Sequence, residues 1–567
     1  MCWFNLRTIL LAGVFAILST VASGEAVSAS DRLTSTFKNV ILMIPDGCGI
    51  AHFTLARWYK GTPLACDALN VALVRTYCSN SYITDSAPAA TAYATGYKSE
   101  NNYISVLPAV YAMPGITLPA GKENMPVATV LEGARLSGRA TGVVATSMTS
   151  HATPAAFTSH WYARSNEAIL MEQQVYQGVD VLLGGGRKQV MTPVDSGVRP
   201  DNENLLDTLK ARGYSILTTR EELAALPSHT GKVWGQFNLD ALSRDFDRSL
   251  PVYQHQPSLA DMTQKAITLL SNSKAGQSKG FFLMVEGSQV DWASHANEPV
   301  GVLSEYLAFD SAVAVAKNFT ETNGKTLLLV LSDHDNGGLS LGGSRTNSTY
   351  SIRPLDSLLT APLRKATLTG AGIKLLLGDD RSSNAIIHAL GTYFGITDLT
   401  PDEISTVTAA SAGRMEHVLG TLMSKRTDIS WTTTGHTGND VPLYYLGTND
   451  QLKILQNTDV ARICAKAMKV DLDKVTDSLF RRADKLFGNA TSMTVDTVGF
   501  NNASGSLTVV MNGKTAIFPF NKNELIVDGN KHLMNGLTVY SFQNNTVYVP
   551  AQALSILKGI SGRLKKK

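Results

Sequence analysis

Four short apolar runs, each leading to a carboxylate or a histidine, constrain this chain more than any other feature. Residues 40–44 run into Asp46, 281–285 into Glu286, 327–331 into Asp333 and His334, and 142–145 lead towards His151. Runs of five or so β-branched residues and leucines with no polar alternation are the pattern of strands buried on both faces, as in a parallel sheet. Stretches such as 125–136 are predicted to be helical and lie between them. The reading is an α/β chain with a doubly wound, mostly parallel sheet flanked by helices and a small C-terminal β-rich module. In such folds the site lies at the carboxyl ends of the strands.

The composition supports a large core. Of 567 residues, 44% are hydrophobic and 17% charged, which excludes a disordered or fibrous chain. The net charge of +3 is smaller than the contribution of Lys558, Arg563, Lys565, Lys566 and Lys567 in the tail, so the body is slightly acidic. Nucleic acid is therefore not expected as a specific ligand.

At the other end, Arg7, an apolar run over 8–22 and small residues up to Ala29 have the three-part pattern of an export signal, so residues 1–29 are expected to be a signal peptide. The expected location is periplasmic, cell-surface or extracellular. No later segment is expected to span a membrane. Once the leader and Cys2 are removed, Cys48, Cys66, Cys78 and Cys464 remain; Cys66 and Cys78 could close a short loop, and the lack of CxxC argues against a thiolate zinc site.

Residues 30–472 are expected to form the catalytic domain, 473–491 a charged helical linker, and 492–567 a small α+β module with a basic tail. Within the module, Asn512-Gly513 between two alternating runs predicts a hairpin.

The candidate chemistry lies in separated stretches. Asp85-Ser86 precedes an alanine-rich helix former, which places a hydroxyl beside a helix N-terminus, where an anion is favoured. Alone, that pair would be only an N-cap. Asp291 and His295 are four residues apart and share one face if the segment after Gly287 is helical. With Asp46, Glu286, Asp333, His334 and His436 they form a mixed carboxylate and imidazole set suited to zinc with a harder ion beside it. A pair of zinc ions about 4 Å apart can stabilise both the entering and the leaving oxygen of phosphoryl transfer. Arg164 is the candidate for gripping the non-bridging oxygens.

Taken in order from about Asn39 to about Leu446, these motifs resemble the alkaline phosphatase family. The resemblance implies hydrolysis of phosphate monoesters with Ser86 as the nucleophile that becomes phosphorylated, and Arg164 binding phosphate with Asp85 orienting it. It implies two zinc ions and one magnesium ion. Asp291, His295 and His436 would hold one zinc, and Asp46, Asp333 and His334, with Ser86, the other. Asp46, Thr153 and Glu286 would hold magnesium. His151, counted with the metal residues at the magnesium site, stands where the best-known bacterial pattern has aspartate, and Trp292, counted with the substrate-binding residues, stands where that pattern has lysine. Weaker phosphate affinity is the expected consequence. A homodimer is implied by the family alone.

Residues 509–514 and 546–554 resemble the small domain at the amino end of some copper amine oxidases and in bacterial envelope proteins. No copper ligands accompany them, so an adhesion or spacing unit with possible cell-envelope contact is expected. Two other readings stay open. One is a sulfatase or phosphodiesterase on the same fold, against which Ala90 stands where a sulfatase motif has arginine. The other is an envelope-binding protein with a structural metal.

Overall fold

Nine strands run one way and one runs against them in the central sheet of the computed structural model, which describes residues 33–118, 120–497 and 504–559. The expected leader at 1–29 and the basic residues Arg563, Lys565, Lys566 and Lys567 lie outside the described residues. In chain order the strands are β1 (Asn39–Pro45), β2 (Asn70–Arg75), β3 (Ala140–Met148), β4 (Val181–Gly185), β5 (Tyr214–Leu217), β6 (Lys232–Gln236), β7 (Phe281–Gly287), β8 (Thr326–Leu331), β9 (Val441–Leu446) and β10 (Ile454–Gln456). Their spatial order is β10-β2-β9-β8-β1-β7-β3-β4-β6-β5. Only β9 is antiparallel to its neighbours.

The four apolar runs therefore become four adjacent central strands, β8-β1-β7-β3. Register aligns their ends: Ile44 pairs with Glu286, which also pairs with Ala145. Val40 to Ile44 are fully buried. At roughly 1.5–3 kcal/mol for each large apolar side chain removed from water, this strand alone fixes the position of Asp46 firmly.

Helices cover both faces. Thr129 caps Val130–Leu136 in a capping box with Glu132, so the predicted helix over 125–136 begins only at its cap. The Pro299–Asn323 helix does have the length and composition of a membrane span, contrary to the sequence expectation, but its apolar side chains pack into the core. Cys66 and Cys78 are not bridged: Cys48, Cys66, Cys78 and Cys464 are all buried free thiols.

The C-terminal region forms a five-stranded antiparallel sheet from Ser492–Asp496 to Asn530–Leu533, and a three-stranded one built by Arg481–Arg482, Thr546–Val549 and Val539–Ser541. The hairpin at Asn512-Gly513 is present, with Met511 paired to Lys514 and positive φ at both turn residues. Residues 473–491 do not form one continuous helix. Helix Leu472–Leu479 ends at Phe480, whose ring is buried, and a second short helix follows at Ala483–Leu486.

Candidate active site

The hydroxyl of Ser86 lies where the carboxyl ends of β1, β7 and β8 converge. Asp46 follows β1, Glu286 closes β7, and Asp333 and His334 follow β8. Ser86 opens the helix Ser86–Thr95, capped by Asp85, whose Oδ2 accepts the Ala87 N–H. The serine is 2% exposed, and its Oγ is 3.1 Å from His334 Nε2. That nitrogen lies 3.2 Å from Asp333 Oδ2 and 3.5 Å from Asp46 Oδ1.

A second cluster abuts the first. The rings of His334 and His436 stack with centroids 3.7 Å apart. His436 Nδ1 donates to the Thr84 carbonyl (2.8 Å) and His295 Nδ1 to the Thr434 carbonyl (2.6 Å). Carbonyls only accept, so both Nδ1 atoms carry hydrogen, and in the neutral rings both Nε2 lone pairs are free. Those two Nε2 atoms face each other at 3.2 Å, with Asp291 oxygens 3.4 and 3.5 Å away. Two acceptors and a carboxylate cannot satisfy one another unless a proton or a cation lies between them. Without a cation the proton is held tightly: although burial opposes it, Asp291 raises His295 to about 9. Asp291 itself stays well below the usual carboxylate range, because His295 and the other histidines outweigh its burial.

The carboxylates nearer the strands have no such relief. Burial, then Asp333, Asp291 and Glu286, push Asp46 well above its ordinary value. Burial raises Glu286 to about 7, and burial together with Asp291 raises Asp333 to about 6. Both Asp46 oxygens, Asp333 Oδ2, Glu286 Oε1 and the Thr153 hydroxyl are buried without a hydrogen-bond partner. Among the described residues, three overlapping groups could each hold an ion: Asp291, His334 and His436; Asp46, Asp333 and His334; and Asp46, His151 and Glu286. Orphaned oxygens on crowded, buried carboxylates fit divalent cations well, since a cation removes both the repulsion and the unmet acceptor capacity.

Arg164 is tied to the cap of the Ser86 helix and to His151. Its Nη1 donates to Asp85 Oδ1 (2.5 Å) and its Nη2 to His151 Nε2 (2.9 Å). His151 accepts there at Nε2, while its Nδ1 is buried without a hydrogen-bond partner and the residue belongs with Asp46 and Glu286 to one of the candidate ion groups. Burial, then the neighbouring Arg164, lowers it to about 3, so the ring is neutral. Trp292 packs edge-on against His151, with centroids 5.6 Å apart. Its contact in the structure is thus with the residue that holds the arginine.

Several supporting residues were missed in the sequence. Asn336 Nδ2 donates to Asp291 Oδ1 (2.6 Å) and to the Asp291 carbonyl (3.0 Å). Ser332 Oγ accepts from Cys48 N–H and donates to the His334 carbonyl, and Tyr93 donates to the Ser332 carbonyl. Gly47 has φ +67°, and a Cβ there would lie 2.5 Å from Asp291 Oδ1. Proximity in sequence to Asp46 or Asp333 was the one signal for Gly47, Cys48, Ser332 and Asn336, and Tyr93 had none of that kind.

The profile of the alkaline phosphatase family matches residues 37–470, the whole span that carries these side chains. The chain belongs to the alkaline phosphatase family. It is 32% identical to alkaline phosphatase 3 of Bacillus subtilis over 487 residues, covering 81% of this chain and 96% of the relative. It is likewise 32% identical to streptomycin-6-phosphate phosphatase of Streptomyces griseus, over 56% of this chain and 78% of that protein. Among solved structures, the cold-active alkaline phosphatase of Shewanella sp. superimposes with a TM-score of 0.61 at 29% identity, covering 76% of this chain and 99% of that one. The Thermus thermophilus alkaline phosphatase gives 0.67 at 25% identity, covering 80% and 96%. As a member of this family, the chain is a metal-dependent phosphomonoesterase. The match to the family ends at residue 470, before the C-terminal β-rich region.

Proposed function

We propose that the chain hydrolyses phosphate monoesters through a phosphoserine intermediate at Ser86. Asp291, His295 and His436 would hold one zinc, Asp46, Asp333 and His334 with Ser86 a second, and Asp46, Thr153 and Glu286 a magnesium ion. Bound there, the zinc ions supply Lewis-acid stabilisation of the entering and leaving oxygens.

The chain's own residues do the rest. Arg164, held by Asp85 and His151, directs its guanidinium donors at the non-bridging oxygens, and the N-terminus of the Ser86 helix favours the anion. Ser86 Oγ attacks phosphorus as the ester P–O bond breaks and the alcohol departs. Water then attacks phosphorus, the Oγ–P bond breaks, and inorganic phosphate leaves. Trp292 acts through His151, with no charge of its own to add to phosphate binding.

The observation that carries this reading is a buried serine hydroxyl at a helix N-terminus, 3.1 Å from a histidine shared by two candidate ion groups. A structural metal in a binding protein would not need a hydroxyl at that point. The test is turnover of a chromogenic phosphomonoester by wild type and Ser86→Ala, with acid quenching and mass analysis of the Ser86 peptide. The expected results are a loss of at least about a thousandfold in kcat and a phosphoryl adduct on wild type only. Equal rates, or no adduct at a rate-limiting hydrolysis step, would remove the serine from the mechanism.

Export rests on Arg7, the 8–22 run and the small residues to Ala29, and we place the mature protein in the periplasm, at the cell surface or outside the cell. Homodimerisation and envelope contact through the C-terminal module belong to the same proposal.

A further inference from the structure

The described residues of the C-terminal region, 472–497 and 504–559, pack against the catalytic unit. Leu507, Val509, Phe518, Phe520, Tyr540 and Val549 share one buried apolar cluster with Ala87 and with Ala152 and Ala155. Ala87 lies in the first turn of the Ser86 helix, and Ala152 and Ala155 belong to the helix that carries Thr153. The region beyond the family match thus forms the wall behind the site.

Among its many contacts with the catalytic unit, several reach, directly or through one intervening residue, a short segment, residues 160–164, which ends in Arg164. The backbone of His160 is fixed by Gln173, whose Oε1 accepts the His160 N–H (2.7 Å) and whose Nε2 donates to the His160 carbonyl (3.1 Å) and to Asn521 Oδ1 of the C-terminal region (2.9 Å). Trp161 pairs with Ile104, and the Arg164 N–H donates to the Asn102 carbonyl (2.9 Å). The chain that pairs there is held in turn by the C-terminal region: Tyr103 donates to Asn124 Oδ1, and Ser541 Oγ donates to the Asn124 carbonyl. Finally, Phe542 stacks on Tyr162, with centroids 6.3 Å apart and rings 21° from parallel. Phe542 is 56% exposed and also meets Tyr540 edge-on, so it lies at the margin of the apolar cluster and not in its interior.

We propose that the C-terminal region is a positioning element for Arg164, and that Phe542, through Tyr162, is a positioning residue for phosphate binding. A guanidinium that grips two oxygens at once loses affinity when its backbone shifts by a fraction of an ångström, because both contacts depend on one fixed geometry. The segment has no helix or regular strand; the Gln173 bonds, the Ile104 bridge and the Asn102 bond hold its backbone, and the stack adds a hold on Tyr162 from the C-terminal region. The inference rests on the reading of Arg164 as the phosphate-binding residue.

The test uses the full chain loaded with zinc and magnesium, and measures KM, kcat, the inhibition constant for inorganic phosphate, and Tm. Phe542→Ala should raise KM and the phosphate inhibition constant together by roughly twofold to tenfold, the range expected of one aromatic pair, with Tm almost unchanged. Phe542→Tyr should restore both. In an Arg164→Ala background, Phe542→Ala should have no further effect on phosphate inhibition. An equal effect in that background, or a fall in Tm with unaltered phosphate inhibition, would overturn the positioning role. If Arg164→Ala alone left phosphate inhibition unchanged, it is the assignment of Arg164 that would fail.

Discussion

Replacing Asn336 with alanine should weaken cation binding at the histidine end of the site by one to two decades. Asn336 is fully buried on a two-residue strand that pairs it with His436, and it donates to both the carboxylate and the carbonyl of Asp291. A hydrogen bond to a charged group contributes about 1.5–3 kcal/mol. At 1.36 kcal/mol per decade that is roughly a tenfold to hundredfold change, the range found when the outer partners of metal ligands are removed. One effect opposes it: without its donor, Asp291 presents more negative charge to the cation. Orientation wins because Asn336 is the donor to Asp291 that is not itself a candidate ligand, so its loss frees the carboxylate to rotate. The assay is zinc titration against a competing chromogenic chelator, with thermal melts of the EDTA-treated protein to check the fold. Saturating zinc should restore most of kcat. An unchanged zinc affinity in a variant that melts like wild type would refute the argument.

Two further outcomes follow from the same geometry. The gain in Tm on loading with metal should widen as pH rises from about 5 to 9. Glu286, raised to about 7, and Asp333, raised to about 6, ionise in the metal-free fold only at a cost, which is absent below their unfolded values of about 4, grows as pH rises from there towards the folded values, and is complete above them. The stability from protonated His295 is complete below its unfolded value and disappears as pH rises through about 9. Cations replace those protons, so a pH-independent gain, measured by paired melts with metal and with EDTA, would contradict the reading. Gly47→Ala forces a non-glycine residue to φ +67° with its Cβ 2.5 Å from Asp291 Oδ1. It should cost about 1–2 kcal/mol in stability from the backbone alone and lower zinc affinity more than Asn336→Ala does; chelator titration with zinc retained at the wild-type level would count against the close packing.

The fold class was legible because strands buried on both faces must be apolar throughout, and β1, β3, β7 and β8 each left that mark on their own residues. The ligand types were legible for a similar local reason, since Asp46, Glu286, Asp333 and His334 stand immediately at or after those strands. Asn336, Ser332 and Tyr93 left no such mark, because a hydrogen bond to another part of the chain has no period or spacing in sequence. His151 and Trp292 could be compared only with a family pattern; which nitrogen of His151 faces Arg164 is a matter of three-dimensional contact.

The boundary between the catalytic part and the rest shows the same division. Sequence placed a boundary at residue 472 and a hairpin at Asn512-Gly513, both from local properties of backbone and side-chain preference. It suggested a linker and a small unit, and held no information on where that unit packs; in the structure its described residues share an apolar cluster with the helices that carry Ser86 and Thr153. Alternation within a strand says that one face is buried, but not against what. Local sequence thus determined the strands, the caps and the kinds of ligand, through preferences that act within a few residues. Tertiary structure decided which of these meet, because the convergence of Ser86, His334 and Arg164 depends on the order of strands in the sheet and on the packing of remote segments behind it.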